Sequence, residues 1–254
     1  FDGKYRVPAA SAFVMTPLAA HEAHGHMDQQ KSKLKNIPFP RDGCPVCPYG
    51  KIKKAPSTGT YRPKADNPLD EVYADVKVCS VADRNGILYE IGFVDSCTGM
   101  SWVYPISTPS TSEVIRVMDE MRVQEHGGRT IKKLVMDNGS CFTSAPMQAY
   151  LTAMNTLREY SAAFHQHQNG QAESLWNRLV NLCVIQMLQS PHLGMDYWTE
   201  CMRHANDQVV RMPSRSHDNH SPYALFHGLQ EEPTDKHLRR WGCAPLFLLR
   251  WSSP

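Results

Sequence analysis

Three carboxylates occupy positions that could bring them together in the fold. Asp75 lies inside the alternating run of residues 72–78, Asp137 follows the apolar run 134–136, and Glu173 begins a long amphipathic segment. Phosphoryl transfer by two metal ions needs several carboxylates that converge on ions about 3.5–4 Å apart. Oxygen ligands suit Mg²⁺ or Mn²⁺. The pattern predicts two such ions, with Asp75 and Asp137 on one and Asp75 and Glu173 on the other.

Each acid also has an ordinary explanation. Asp137 precedes Asn-Gly, which is a common turn, and a glutamate in a first helical turn is favoured by the helix dipole. An acid in an alternating strand, such as Asp75, often faces water. Only the three acids together, in this order, favour a metal site. Asp95 also ends a strand-like run, and we expect it near the site but outside the metal shell.

A second group of metal-ligating residues lies upstream, in residues 21–54. Structural zinc takes four tetrahedral nitrogen and sulfur ligands, and His21, His26, Cys44 and Cys47 supply two of each. The two histidines are expected on one face of a short helix. The segment has few large apolar residues and would hardly fold without a metal. One structural zinc ion is therefore predicted; the alternative is a histidine-rich loop without metal.

Composition and charge limit the class of protein. The chain has 254 residues and a net charge of +2, so one large domain with small appendages is expected. Residues 1–66 carry eleven Lys/Arg against five Asp/Glu, which favours phosphate backbones as partners. Lys51, Lys53 and Lys54 are candidate phosphate contacts or part of a solvated linker. The eight scattered cysteines suit a reduced intracellular protein, and no membrane partner is expected because no run approaches a membrane span.

The apolar patterns predict elements that could position the acids. Strands are expected at 71–80, 87–95, 99–106, 131–136 and 156–161, and helices at 111–125, 144–155, 170–189 and 196–212. This order predicts an α/β fold with a mixed sheet and helices on its faces. The expected organisation is an N-terminal arm (1–20), the zinc module (21–54), a linker (55–70), a core (71–230) and the start of an incomplete small C-terminal β-barrel (231–254).

Several motifs together resemble one known family. The chain is similar to the integrases of copia-type (Pseudoviridae) LTR retrotransposons, within the retroviral integrase and RNase H-like superfamily. The similarity is collinear and is carried by His21-x4-His26, Cys44-x2-Cys47, Asp75, Phe93-Val94-Asp95, Asp137-Asn138-Gly139, Asn169-Gly170-x-Ala172-Glu173, Ser221-Pro222-Tyr223 and Trp241-Gly242-Cys243.

The resemblance implies an RNase H-like core that joins 3′ ends of element DNA to target DNA. It implies a polynucleotidyl transferase with catalytic Mg²⁺ or Mn²⁺, a structural Zn²⁺, and element ends and target duplex as partners. A homo-multimer is expected, because concerted joining of two ends needs two active sites. The expected location is the nucleus, and a cytoplasmic virus-like particle before import. Asn169, Asn177 and Arg178 are further candidates for DNA contact.

Two departures from the family pattern keep other functions open. Cys141 stands where the family usually has an acid, and Ser174 stands where a basic residue usually follows the glutamate. One alternative is a domesticated, non-catalytic relative that binds nucleic acid or serves as a structural component of a larger assembly. A third hypothesis is a nuclease that hydrolyses RNA–DNA hybrids.

Overall fold

The computed structural model describes residues 16–50, 63–161, 170–214, 217–234 and 238–243. Three short helices come first, and a sheet with larger helices follows. The helices are α1 (Pro17–Ala23), α2 (Gln29–Leu34), α3 (Cys47–Gly50), α4 (Thr111–Gln124), α5 (Ser140–Thr143), α6 (Ala145–Ala153), α7 (Gly170–Gln189), α8 (Trp198–Val210) and α9 (Pro222–His227), with a 3₁₀ turn at Met195–Tyr197.

The five strands form one mixed sheet. They are β1 (Val72–Val78), β2 (Tyr89–Asp95), β3 (Ser101–Ile106), β4 (Lys133–Met136) and β5 (Leu157–Tyr160). Their order in the sheet is β3-β2-β1-β4-β5, with β1, β2 and β3 antiparallel and β4 parallel to both β1 and β5. The predicted α/β architecture with a mixed sheet is confirmed.

Helices cover both faces of the sheet. On one face, Ala74, Phe93 and Leu134 pack with side chains of α4 and α6 in the larger core cluster. On the other face, Val94 and Val103 pack against α7 and α8. The apolar stripe predicted for 170–189 is buried on that second face: Ala172, Trp176, Leu179, Cys183 and Met187. Helix α7 is therefore fixed across the strands that carry the candidate acids.

Burial changes steadily along β1. Its first three residues are buried, its next three are half-buried and its last residue, Val78, is 61% exposed. Val78 was expected to share an apolar face with Val72 and Ala74, but it lies beyond the cover of the helices. The strand therefore runs from the dry core to the solvent-exposed rim of the sheet.

The helix ends follow the expected capping chemistry. Ser110 caps α4 by accepting from the Glu113 N–H, and Ser144 caps α6 by accepting from the Met147 N–H. The short helices α5 and α9 were not predicted. Each has fewer than seven residues, which is too short for a periodic apolar pattern.

The N-terminal region differs from expectation in two ways. Residues 1–20 were predicted as an extended arm, but Pro17–Ala23 forms α1, capped by Thr16. The two candidate histidines do not share a helix face, because α1 ends at Ala23 and His26 lies in the following turn with a φ of 52°. Residues 55–62, which are half of the predicted linker, and the final predicted β-barrel residues, 244–254, lie outside the described residues.

A further finding concerns the helices of the described ranges. None of them combines the length and the apolar character needed to cross a membrane.

Candidate metal centres

Strand register places the three acids on one side of the sheet. Tyr73 and Val135, which are neighbours in the β1–β4 pairing, pack together with Ala172 of α7. Because side chains alternate along a strand, Asp75 projects to the same side as Tyr73. Continuing the parallel register by two residues sets Asp137 beside Asp75. Glu173 follows Ala172 in the first turn of α7, so it lies on the same side of the sheet, near enough for its charge to act on Asp75.

The Asp75 carboxyl is the most perturbed of the three. Burial raises its pKa to about 6, and the charge of Asp137 adds to the rise, with a smaller contribution from Glu173. A hydrogen bond from the Val76 backbone opposes the shift. The Trp176 indole nitrogen, which is directed toward Asp75, also opposes it, although it does not reach full hydrogen-bond geometry. Crowded negative charge of this kind is what a divalent cation would neutralise.

The raised pKa of Asp75 predicts a pH-dependent stability. The folded pKa of about 6 exceeds the ordinary 3.8, so the folded state retains a proton that the unfolded chain releases. Stability is therefore full below about pH 4 and falls by up to about 3 kcal/mol as the pH rises through 6. Without Mg²⁺ or Mn²⁺, we expect Asp75→Asn to melt higher than wild type at pH 7.5 and at the same temperature at pH 4. Thermal melts at both pH values measure this, and a melting difference independent of pH would contradict it.

Asp137 and Glu173 are exposed, in contrast to Asp75. Asp137 Oδ1 accepts from the Gly139 N–H at 3.0 Å, which shapes the turn after β4. Among the residues that the structure describes, the three acids do not form a cluster as tight as the histidine–cysteine group. Both exposed side chains can therefore adjust toward an ion, while Asp75 is held in place by the strand.

Sequence reasoning missed one pair of residues that supports the site. Gly92 lies directly opposite Asp75 in the β1–β2 pairing. A Cβ at Gly92 would lie 2.7 Å from Trp176 Cζ2 and 3.3 Å from Leu175 Cδ2. Glycine at this position thus lets the Trp176 ring, three residues after Glu173, lie flush against the sheet. A glycine inside a strand pattern is the sequence signal that could have identified this close approach.

Asp95 is a structural acid. It is fully buried, and its oxygens accept from the Leu69 N–H at 2.7 Å, the Thr98 N–H at 2.8 Å and the Thr98 hydroxyl at 2.7 Å. These bonds hold the turn between β2 and β3. A turn at residues 96–98 separates the two strands that were predicted at 87–95 and 99–106, and the Asp95 carboxylate stabilises this turn.

The four predicted zinc ligands converge. One ligand atom from each of His21, His26, Cys44 and Cys47 lies within 4.8 Å of the others. His21 Nε2 is 3.3 Å from Cys47 Sγ, and His26 Nδ1 is 3.4 Å from both sulfurs. A nitrogen and a sulfur bound tetrahedrally to one zinc ion should lie about 3.5 Å apart. The donor set and its spacing therefore fit structural zinc.

The candidate DNA contacts divide into two groups. Asn177 and Arg178 are exposed on α7, one turn beyond Glu173. The other candidates, Lys51, Lys53, Lys54 and Asn169, lie outside the described residues. Of the two departures from the family pattern, Ser174 is exposed, whereas Cys141 is buried and burial raises its pKa, with a further contribution from Asp137.

Comparison with protein families and curated proteins gives a consistent result. Residues 65–165 match the family described as "Integrase core domain". The Pol polyprotein of transposon TNT 1-94 from Nicotiana tabacum is 27% identical over 234 residues, which cover 88% of this chain and 17% of the relative. That of transposon RE2 from Arabidopsis thaliana is 24% identical over 202 residues, which cover 79% of the chain and 13% of the relative. The chain thus spans less than a fifth of these polyproteins.

Solved structures with the same fold are more distant in sequence. A chain of the simian T-cell lymphotropic virus intasome, in complex with a PP2A regulatory subunit, aligns with a TM-score of 0.57 and 19% identity over 86% of this chain and 77% of that one. The HTLV-2 integrase catalytic core domain in complex with magnesium aligns with a TM-score of 0.51 and 15% identity over 65% of this chain and 100% of that one. At these identities the likeness concerns the fold.

Proposed function

Because the chain is a copia-type integrase of the RNase H-like superfamily, we propose that it joins the 3′ ends of element DNA to target DNA by two-metal-ion phosphoryl transfer. The observation that carries the proposal is that Asp75, Asp137 and Glu173 lie at one face of the sheet, where burial and the charges of Asp137 and Glu173 raise the pKa of Asp75. The integrase core match supports the general class of polynucleotidyl transferase.

The proposed roles follow from the burial of each acid. Asp75, which is fixed on the strand, would help to hold both ions, together with Asp137 for one and Glu173 for the other. Mg²⁺ or Mn²⁺, when bound, stabilises charge on the attacking and leaving oxygens. Asn177 and Arg178 contact the DNA backbone near the acids and orient it.

The proposed reaction exchanges one phosphodiester bond for another. The 3′ hydroxyl of the element end attacks a target phosphate in line, and the 3′ oxygen of the target strand leaves. No covalent enzyme intermediate forms, and the exchange of one phosphodiester bond for another needs no external source of energy. Acids that only ligate ions and orient DNA therefore suffice for the chemistry.

The proposed partners follow from this reaction. Joining two ends to one target needs two active sites, so we propose that the chain acts as a homo-multimer on element ends and target duplex. The zinc module contributes further contacts to DNA or to a second subunit. Action on chromosomal DNA places the protein in the nucleus, after a cytoplasmic virus-like particle.

A joining assay tests the proposal. The zinc-loaded chain would be mixed with labelled short duplexes that carry free 3′ hydroxyls and a pool of terminal sequences. Supercoiled plasmid and Mg²⁺ or Mn²⁺ would be added. We expect covalent transfer of label into the plasmid. A labelled RNA–DNA hybrid would be supplied in one parallel reaction, and retention of the labelled duplex on a filter would be measured in another.

The parallel reactions make each alternative visible. Cleavage of the hybrid without any joined plasmid would identify a nuclease. Retention of duplex in a filter assay, with no covalent product under either ion, would identify a binding module. Each of these two outcomes would overturn the proposed strand transfer.

A further inference from the structure

The zinc-ligand group does not stand apart from the core. His21, Glu22, Ala23 and His26 are all buried, and they lie against the C-terminal half of α7 and against α8. Gly25 allows this approach: it has a φ of +68°, and a Cβ there would lie 3.1 Å from Gln208 Cβ. The turn that holds His26 is therefore seated directly on the two core helices.

One side chain joins the zinc ligands to the end of α7. His26 directs Nδ1 at the two sulfurs, so its other ring nitrogen, Nε2, carries the proton when a metal is bound. That N–H donates to Gln189 Oε1 at 2.7 Å. The amide of Gln189 then donates from Nε2 to Glu22 Oε1 at 2.8 Å. An amide is suited to this position, because it offers an acceptor to His26 and a donor to Glu22.

Two more buried amides extend the contact. Gln208 of α8 donates to the Ala23 carbonyl at 2.6 Å, and Gln186 of α7 donates to Gln208 Oε1 at 2.5 Å. Gln186 and Gln208 are buried to within 1% of full burial. A buried amide without a hydrogen-bond partner is costly. If the turn at residues 23–26 left the core helices, these amides would lose their partners and the protein would be destabilised.

We propose that Gln189 is a positioning residue that couples zinc binding to helix α7, which carries Glu173 in its first turn. Zinc fixes His26, His26 fixes the Gln189 amide, and Gln189 holds the C-terminal turn of α7 against α1. The zinc module thereby contributes to the folding unit of the catalytic core. The proposal rests on zinc binding by His21, His26, Cys44 and Cys47, and it does not depend on strand transfer.

Zinc affinity of the full chain provides the first test. Competition with a chromophoric chelator would measure it for wild type, Gln189→Met and Gln30→Met. Gln30 is an exposed residue of α2, so Gln30→Met makes the same chemical change away from the ligands. We expect Gln189→Met to weaken zinc binding by about 10- to 100-fold, and Gln30→Met to change it by less than about twofold. Equal affinity of Gln189→Met and wild type would overturn the proposal.

A double variant in which positions 22 and 189 exchange their side chains provides a second test if Gln189→Met does not fold. Glu22→Gln combined with Gln189→Glu presents a carboxylate to His26 and returns an amide donor from position 22. We expect this double variant to recover zinc affinity to within about threefold of wild type. A double variant that folds but binds zinc at least about tenfold more weakly than wild type would contradict the coupling.

Hydrogen exchange gives a readout in the core itself. Zinc removal from wild type should raise amide exchange at residues 182–189 of α7 by at least about tenfold. Strand β3, in which no described residue hydrogen-bonds to a zinc ligand, serves as the internal reference. Unchanged exchange in α7 after zinc removal would show that the module and the core are independent.

Discussion

Asp137→Asn and Glu173→Gln are each expected to lower strand transfer by at least about 10³-fold, equivalent to about 4 kcal/mol of transition-state stabilisation. Each change keeps the shape of the side chain and removes the negative charge that would hold a divalent ion. Because both residues are exposed, the free energy of unfolding should change by less than about 0.5 kcal/mol. Joined plasmid and thermal melts measure the two effects.

Ser174→Ala is the matched control for these substitutions. Ser174 is exposed and adjoins Glu173 on α7, so its truncation tests whether any change at this turn affects the reaction. Activity should stay within a few-fold of wild type. Full activity of either acid variant would refute its assignment as a metal ligand. An acid variant that does not fold would refute the expectation that the substitution leaves the free energy of unfolding nearly unchanged.

Gly92→Ala is expected to have the next largest effect. The new Cβ would lie 2.7 Å from Trp176 Cζ2, so the buried indole and the adjoining turn of α7 must shift outward. Overpacking of this kind costs about 1–3 kcal/mol of stability. Glu173 lies three residues before Trp176, and a displacement of about 1 Å at a catalytic group can lower a rate by about 10²-fold. Melting and joining assays on the same preparation measure both losses.

A double-mutant cycle separates this clash from other effects of alanine. Trp176→Phe removes the indole atoms that the new Cβ would meet, at the cost of a cavity. If the clash is the cause, the two changes together should cost less stability than the sum of their separate costs. Additive losses would show that Gly92 matters for another reason, such as strand conformation.

Features carried by local pattern could be predicted from the sequence. The helix at 170–189 has its predicted bounds and its predicted buried stripe, because a 3.6-residue period over twenty residues is a strong signal. The strand preceding Asp137 is short but follows from its apolar run and the turn after it. These two elements already placed Asp137 at a strand end and Glu173 at a helix start.

Features that depend on contacts between distant segments could not be predicted. Gln189 approaches His26 across 163 residues of chain, and no local pattern encodes that meeting. The two histidines are five residues apart, which is too far round a helix for one shared face, and the chain leaves α1 after Ala23 and turns at Gly25, which has a positive φ. In the sequence, Asp75 and Asp95 are both acids within strand patterns. Only the hydrogen bonds that Asp95 accepts in the structure show its structural role.

The change in burial along β1 determines how deeply a carboxylate can be buried in this fold. Three positions face α7: Tyr73 is 1% exposed, whereas Asp75 and Lys77 are half-buried nearer the rim. A carboxylate at position 73 would have no access to metal ions or water, and its burial would strongly oppose ionisation. At position 77 it would lie farther from Asp137 and from the first turn of α7. For the proposed reaction, position 75 is therefore the depth at which a carboxylate would be shielded from bulk solvent and would still be within reach of a metal ion and DNA.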